Sequence, residues 1–211
     1  MEFQSLVRRR RMVRQFQPDP VPRDVLLRVL EVARHAPSAG FSQGFDFVVL
    51  DEPAQVEWFY KVTNHPQFPW EPEELSDHAP CLVLALSNKE AYLERYSRPD
   101  KAPFGLQKEE AWAVPFWDID TGMAAMLILL AAIEEGLGAL FFGLIWGQAE
   151  LLAELRVPAA CKLIGVIALG YPLASEPFKR DVFTARRRPL ESMVHFGGWS
   201  IPSRTRQKQL D

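Results

Sequence analysis

An unbroken apolar run near the middle of the chain constrains the fold more than any other feature. Every residue from Met123 to Ile133 is apolar, and alanine, leucine and methionine, which favour helices, dominate the run. A helix that is apolar all round is either buried on every side or lies in a membrane. A membrane span needs about 20 residues, so the run predicts a helix buried by protein, ending at Gly136 and Gly138. This helix is either an ordinary core helix or one that also forms a subunit interface.

Length and composition favour one core of ordinary size in a reducing compartment. The chain has 211 residues, 48% of them hydrophobic, and a net charge of −3, which does not indicate nucleic acid as a partner. The two cysteines, Cys81 and Cys161, lie in apolar runs, and the four histidines have no metal-ligand spacing. The start of the chain has no apolar signal segment. We therefore expect a cytoplasmic protein with one domain over 1–211, a terminal tail at 183–211, and no metal, membrane or nucleic acid.

Hydrophobic periodicity predicts helices alternating irregularly with short strands. The predicted fold class is α+β, with a small central mixed sheet flanked by helices. Besides the central helix, the predicted helices are 1–11, 22–35, 53–63, 88–96 and 148–155. The predicted strands are 45–50, 81–87, 139–145 and 162–169.

Arginines cluster near both ends of this mildly acidic chain. Five lie between Arg8 and Arg14, and three more are consecutive at 186–188. If the first helix extends that far, its spacing places Arg10 on the inward face, where a guanidinium needs an anion. Phosphate capture is one interpretation, because arginine matches phosphate oxygens in bidentate geometry. A solvated basic tail that binds nucleic acid is the other.

Motifs for side-chain catalysis are missing from the sequence. It has no Ser-His-Asp order, Walker loop, GxGxxG or HExxH. An anion site, glycine-rich loops and many aromatic residues remain. This inventory is typical of a protein whose organic cofactor carries the chemistry.

Five segments together resemble the FMN-dependent nitroreductase family. Arg10–Phe16, RRMVRQF, resembles the family's RRSxRxF opening, and residues 36–47 resemble its APSxxNxQPWxF segment. The later matches are the GLG at 136–138 continuing to Gly143, the GxxxxGYP at 165–172, and RRPLE followed by VH at 187–195. They occur in family order across nearly the whole chain.

The resemblance implies a homodimer with domain-swapped termini and FMN at the subunit interface. Arg10, Arg11 and Arg187 would hold the FMN phosphate with help from Arg186, and Arg14 would lie near the pyrimidine edge of the ring. The ring would be approached from one face by Pro37, Ser38 and Ala39, and from the other by Phe142 and Gly143. NAD(P)H would be the electron donor in a ping-pong hydride transfer to a nitroaromatic, quinone or related electron-poor acceptor.

The chain departs from the family pattern at several positions. Met12, among the implied cofactor contacts, replaces a serine, Phe41 replaces an asparagine, and Ala185 replaces a lysine found in some members. Four aromatic residues are candidates for the substrate pocket, although each could equally serve packing: Phe41, Trp70, Trp112 and Phe116. Three alternative functions stay open: a non-catalytic flavin or nucleotide binder, a reductive dehalogenase-like enzyme on the same scaffold, and a nucleic-acid-binding protein.

Overall fold

The computed structural model describes residues 2–65, 67, 78–174 and 185–199. The chain divides into two compact units, Met1–Glu176 and Pro177–Asp211. Six helices lie in the described part of the first unit, close to the predicted ranges. They are α1 (Phe3–Arg9), α2 (Arg23–Ala33), α3 (Pro53–Val62), α4 (Lys89–Ser97), α5 (Phe116–Glu134) and α6 (Gln148–Glu154).

Four strands form one sheet in the order β1-β2-β4-β3, with β1 at Phe45–Leu50, β2 at Cys81–Asn88, β3 at Gly138–Phe142 and β4 at Cys161–Gly170. The predicted mixed sheet is wrong in this detail, because all three described pairings are antiparallel. Nearly every residue of β2 is nevertheless buried. Helices cover both faces of the sheet, so its central strands are continuously apolar although they are not parallel.

Alternate residues of the strands face two separate hydrophobic cores. One core joins α2 and α5 to strand residues such as Val83 and Ile167. The other joins α3 and α6 to strand residues such as Leu82, Leu84 and Val166. The fold is therefore three layers, with the sheet in the middle and the central helix α5 on one side.

The prediction that protein buries α5 on every side is wrong for a single chain. Phe116, Ile119, Met123 and Met126 form an exposed stripe, with 36–43% of each residue accessible to solvent. Their spacing of three and four residues places them on one face of the helix. The opposite face, with Ala124, Ile128 and Ala132, is fully buried. One chain thus hides only part of the apolar surface of α5.

Among the described helices, α5 alone has the length and hydropathy to cross a membrane. Half of its most apolar 18-residue stretch is buried inside the protein. A core helix passes the same test, and the packing of α5 against α2 and the sheet is that of a core helix.

The first helix ends earlier than its periodicity predicts. Helix α1 stops at Arg9, and Arg10 has an extended backbone with φ −57° and ψ 123°. From there the chain joins the sheet edge, where the Val13 N–H donates to the Ala139 carbonyl at 3.0 Å. Backbone pairing with the sheet therefore overrides the helical pattern, and the helix-face argument for Arg10 is wrong.

Residues 185–199 of the second unit carry a short turn at Leu190–Ser192. Several large apolar side chains there are exposed: Leu190, Met193, Val194, Phe196 and Trp199. The rings of His195 and Trp199 stack with centroids 4.3 Å apart.

Candidate functional site

The arginine segment that follows α1 runs in extended form along the first residues of β3. Val13 is buried and pairs with Ala139, and Phe16 forms a bridge with Pro172. A Cβ on Gly138 would lie 2.9 Å from both Val13 methyl groups, so only glycine permits this close approach. The local sequence therefore fixes Arg10–Arg14 beside the end of α5 and the start of β3.

Arg10 carries a buried nitrogen that lacks a partner. Its Nη1 is shielded from solvent and makes no hydrogen bond within the described part of the chain. A buried guanidinium N–H without an acceptor is costly, and an anion would satisfy it. A phosphate group fits this unmet requirement.

Met12 and Arg14 are held by the backbone near them. The Phe141 N–H donates to the Met12 sulfur at 3.5 Å, and Arg14 Nη1 donates to the Met12 carbonyl at 3.3 Å. Thioether sulfur is a weak acceptor. Met12 thus links the arginine segment to β3, and its side chain offers no hydroxyl donor to a phosphate.

Strand β3 ends at Phe142, and Gly143 follows it next to open space. The Phe142 ring packs against Phe59 with centroids 6.4 Å apart, on the sheet face away from α5. A Cβ built on Gly143 would meet no atom within 4 Å. The backbone of Gly143 is therefore accessible to a flat ligand.

The loop at residues 37–43 is tied together by its own hydrogen bonds. Ser38 accepts from Phe41 N–H through its carbonyl (2.9 Å) and from Gln43 N–H through its hydroxyl (2.9 Å). The Ser42 hydroxyl donates to the Ala39 carbonyl at 2.7 Å. A short 3-10 turn at Ala39–Phe41 results.

Phe41 protrudes from this loop in a strained backbone conformation. Its φ is +55°, in the left-handed region that bulky residues rarely adopt, and 75% of the residue is exposed. Phe41 is one of the residues that line a cavity of about 530 Å³. The cavity is lined by Gly40, Phe41, Ser42, Ala91, Glu94, Arg95, Arg98 and Asp100. Strain of this kind is concentrated at functional sites.

The predicted pocket aromatics differ in their environments. Trp112 packs edge-on against Tyr96 with centroids 4.8 Å apart, and its indole N–H donates to the Leu106 carbonyl at 3.0 Å. Phe116 lies 6.0 Å from the Trp112 ring and is exposed as the first residue of the stripe. Trp70 lies outside the described residues. Trp112 thus packs on Tyr96, whose ring lies against Gly40 of the loop. The contact of Trp112 and Phe116 with a substrate stays a prediction.

Asp120, which the sequence reading did not single out, fixes the loop to α5. Its carboxylate accepts from the Ala39 N–H and from the Tyr92 hydroxyl, both at 2.8 Å. Burial, together with the hydrogen bond and charge of Asp120, raises the pKa of Tyr92 far above its ordinary value, so the phenol remains a donor. The sequence signal for Asp120 was a carboxylate just before the apolar run of α5.

The two halves of the predicted site are anchored at opposite ends of the sheet. The arginine segment joins the sheet at Gly138, which is opposite Gly170, next to the level of Cys81. The loop precedes Phe45, which pairs with Ser87 at the other end of β2. Six residues of strand between these levels span about 20 Å. Arg186 and Arg187 belong to the second unit, and their part in a phosphate site stays a prediction.

Within the described residues, no three His, Cys, Asp or Glu side chains come together as metal ligands.

The sequence of the chain matches the profile of the Nitroreductase family over residues 7–171. This match covers most of the chain. The protein belongs to the nitroreductase family. As a member it is an oxidoreductase, with an α+β nitroreductase fold.

Two relatives place the chain within the family. A putative NADH dehydrogenase/NAD(P)H nitroreductase of Methanothermobacter thermautotrophicus is 28% identical over 194 residues, which cover 90% of this chain and 87% of the relative. A 5,6-dimethylbenzimidazole synthase of Rhodospirillum rubrum is 30% identical over 178 residues, covering 82% of this chain and 83% of that protein.

Solved structures of family members share the fold. A nitroreductase family protein from Clostridium difficile 630 superposes with a TM-score of 0.71 at 23% identity, covering 94% of this chain and all of the other. An FMN-dependent nitroreductase from Clostridium difficile R20291 gives a TM-score of 0.64 at 19% identity, covering 93% of this chain and all of the other.

Proposed function

We propose that this nitroreductase-family oxidoreductase binds FMN and takes its electrons from NAD(P)H. The observation that carries the proposal is the buried Arg10 Nη1, which lacks a partner in the described chain and lies in the segment that resembles the family's phosphate-binding opening. The open space beside Gly143 offers access to a flat ring. The chain shares its fold with a protein named as an FMN-dependent nitroreductase, and a relative is named as an NAD(P)H nitroreductase.

Each half of the site has its own task. Arg10 and Arg11, with Arg187 and Arg186, would neutralise the phosphate, and Arg14 would place positive charge near the pyrimidine edge. Pro37, Ser38 and Ala39 would face one side of the ring. Phe142 and Gly143 would face the other, and Met12 keeps the arginine segment against β3.

Bound FMN would supply hydride chemistry between NAD(P)H and a nitroaromatic, quinone or similar acceptor. The residues around it then need only to bind, orient and exclude water. Phe41, Trp70, Trp112 and Phe116 are the proposed walls of the acceptor pocket. This division of labour suits a sequence without a side-chain catalytic motif.

The working unit is proposed to be a homodimer. The two halves of the site are anchored about 20 Å apart at opposite ends of the sheet, so a second copy packed on α5 could bring the loop of one chain to the arginines of the other. The exposed stripe on α5 and the exposed apolar side chains at 190–199 are surfaces that such a copy would cover. The tail at 183–211 would belong to the same functional domain and exchange between partners.

Titration of the purified protein with FMN tests the proposal. We expect binding that saturates at one FMN per subunit, a yellow protein, and flavin that heat releases unchanged. Anaerobic NADH or NADPH should bleach the flavin band. A protein that stays colourless and binds no added FMN would overturn the proposed function.

A second candidate rests on the 30% identity to a 5,6-dimethylbenzimidazole synthase. The family scaffold also carries enzymes that fragment flavin, so this chain could consume FMN instead of recycling it. Chromatography of the flavin after many aerobic turnovers separates the two. Recovery of intact FMN supports the oxidoreductase proposal, and stoichiometric loss of FMN supports the second candidate.

A further inference from the structure

Asp120 is a buried carboxylate that accepts one hydrogen bond from the loop at 37–43 and one from α4. The residue is 1% exposed, and of the buried residues in the described chain it alone carries a formal charge. Its Oδ2 accepts from the Ala39 N–H and the Tyr92 hydroxyl, each at 2.8 Å. Burying a carboxylate is unfavourable unless hydrogen bonds compensate for the lost water, and these two donors provide them.

Arg95 and Tyr96 of α4 fix the neighbouring residue of the loop. Arg95 Nε donates to the Gly40 carbonyl at 2.9 Å, while Asp100 holds the same guanidinium at 2.7 and 2.9 Å. A Cβ on Gly40 would come within 2.8 Å of the Tyr96 ring, so the loop lies flat against α4. The backbone on both sides of the Ala39–Gly40 peptide is therefore held from outside the loop.

These contacts, together with the hydrogen bond from the Phe41 N–H to the Ser38 carbonyl, constrain the conformation of Phe41. A bulky residue keeps a left-handed backbone only when its surroundings over-determine it. Phe41 has φ +55° and lines the same cavity as Arg95 and Arg98. The loop therefore holds the Phe41 side chain in a fixed orientation. Because 75% of the residue is exposed in a single chain, burial does not stabilise this orientation.

We propose that Asp120 is a positioning residue for the acceptor: through the Ala39 N–H it holds the loop at 38–43 so that Phe41 presents its ring to a flat aromatic substrate. This role rests on the proposed function, because the acceptor would stack on Phe41 within the FMN site. Asp120 touches neither acceptor nor cofactor, and it acts through the loop backbone.

Hydrogen exchange at the loop amides of the cofactor-free protein tests the tie itself. Asp120→Ala removes the acceptor, and exchange at the amides of 38–43 should rise by about tenfold or more. Asp120→Asn keeps the size and one carbonyl acceptor, so its exchange should lie between parent and Asp120→Ala. Asp118→Ala is the matched control, since Asp118 lies on the same helix and binds Ser87 (2.7 Å) and Lys162 (2.6 Å) instead of the loop.

Steady-state kinetics with two acceptors test the positioning role. Menadione is flat and can stack on Phe41, whereas ferricyanide cannot. Asp120→Ala should raise the KM for menadione about tenfold and leave the KM for ferricyanide within about twofold. A purely structural role would lower kcat for both acceptors alike.

Unchanged loop exchange in both Asp120 variants would overturn the proposal, as would an equal loss with both acceptors. If Asp120→Ala does not fold, Asp120→Asn decides, and it must show raised exchange and a raised menadione KM. A parent without flavin-dependent turnover would instead overturn the proposed function, while the exchange experiment would still report on the loop.

Discussion

At the scale of single residues, this protein departs from the family pattern at Met12 and Phe41. Met12 replaces a hydroxyl with a sulfur that accepts the Phe141 N–H, so the serine-type phosphate contact is replaced by a link to β3. Phe41 places a phenyl ring on a left-handed backbone where asparagine would suit the conformation better. Both changes make the site less polar than the family pattern implies.

Arg10→Ala should weaken FMN binding about ten- to a hundredfold and leave riboflavin binding unchanged. A charge-assisted hydrogen bond contributes about 1.5–3 kcal/mol, and riboflavin has no phosphate to form it. Arg187→Ala should behave in the same way. Titration with both ligands measures the effect, and Arg8→Ala, which removes an exposed charge from α1, is the control. Equal losses for FMN and riboflavin would mean that Arg10 supports the fold instead.

Phe41→Asn should speed the reduction of bound flavin by NADH or NADPH. The ring narrows the pocket where many relatives carry a small amide, and asparagine tolerates a positive φ, so the loop should keep its shape. Anaerobic stopped-flow bleaching reports this step alone, with FMN content expected to be unchanged. Phe104→Asn, which removes another exposed ring near Tyr96, should have no effect. A variant reduced no faster than the parent would assign Phe41 to packing.

At the scale of elements, the central helix α5 shows which structural features composition predicts and which it does not. Composition predicts the helix and its end near Gly136 correctly, because alanine and leucine favour helices in any environment. Composition does not indicate which neighbouring element or chain buries each face of the helix. Four apolar residues stay exposed in one chain, and in the proposed dimer a second copy would cover them.

Ile119→Glu should convert the proposed dimer to a monomer. A charge at the centre of an apolar interface loses its hydration without gaining a partner. Sedimentation equilibrium at micromolar concentration measures the association state, with Leu27→Glu on the exposed face of α2 as the control. A parent protein that is already a monomer would contradict the dimer, and so would an Ile119→Glu variant that remains dimeric.

At the scale of the whole molecule, the sequence predicted which elements exist, but neither the end of α1 nor the direction of the strands. Strand 45–50 was predicted with its observed bounds, because its apolar residues lie between loop and turn residues. The length of α1 and the direction of the strands depend on pairing between distant segments, such as Val13 with Ala139. Local pattern carries no information about such pairs.

Only those parts of the candidate site that match a family motif could be predicted from the sequence. The arginine segment and the loop at 37–43 were found in this way, whereas Asp120 and Arg95 act on the loop from helices 50 or more residues away. The anchoring of the two site halves at opposite ends of the sheet also emerged only from the strand register. This separation is the basis for the proposal that two chains share one site.

FMN binding by mixed dimers tests the shared site most directly. Arg10→Ala damages the arginine half and Ala39→Trp obstructs the loop half, and differently tagged copies allow the heterodimer to be purified. If each site combines the arginines of one chain with the loop of the other, the heterodimer has one site with both defects and one intact site. It should then bind one FMN per dimer with the affinity of the parent, while each variant homodimer binds poorly. A heterodimer that binds FMN no better than the variant homodimers would contradict the shared site.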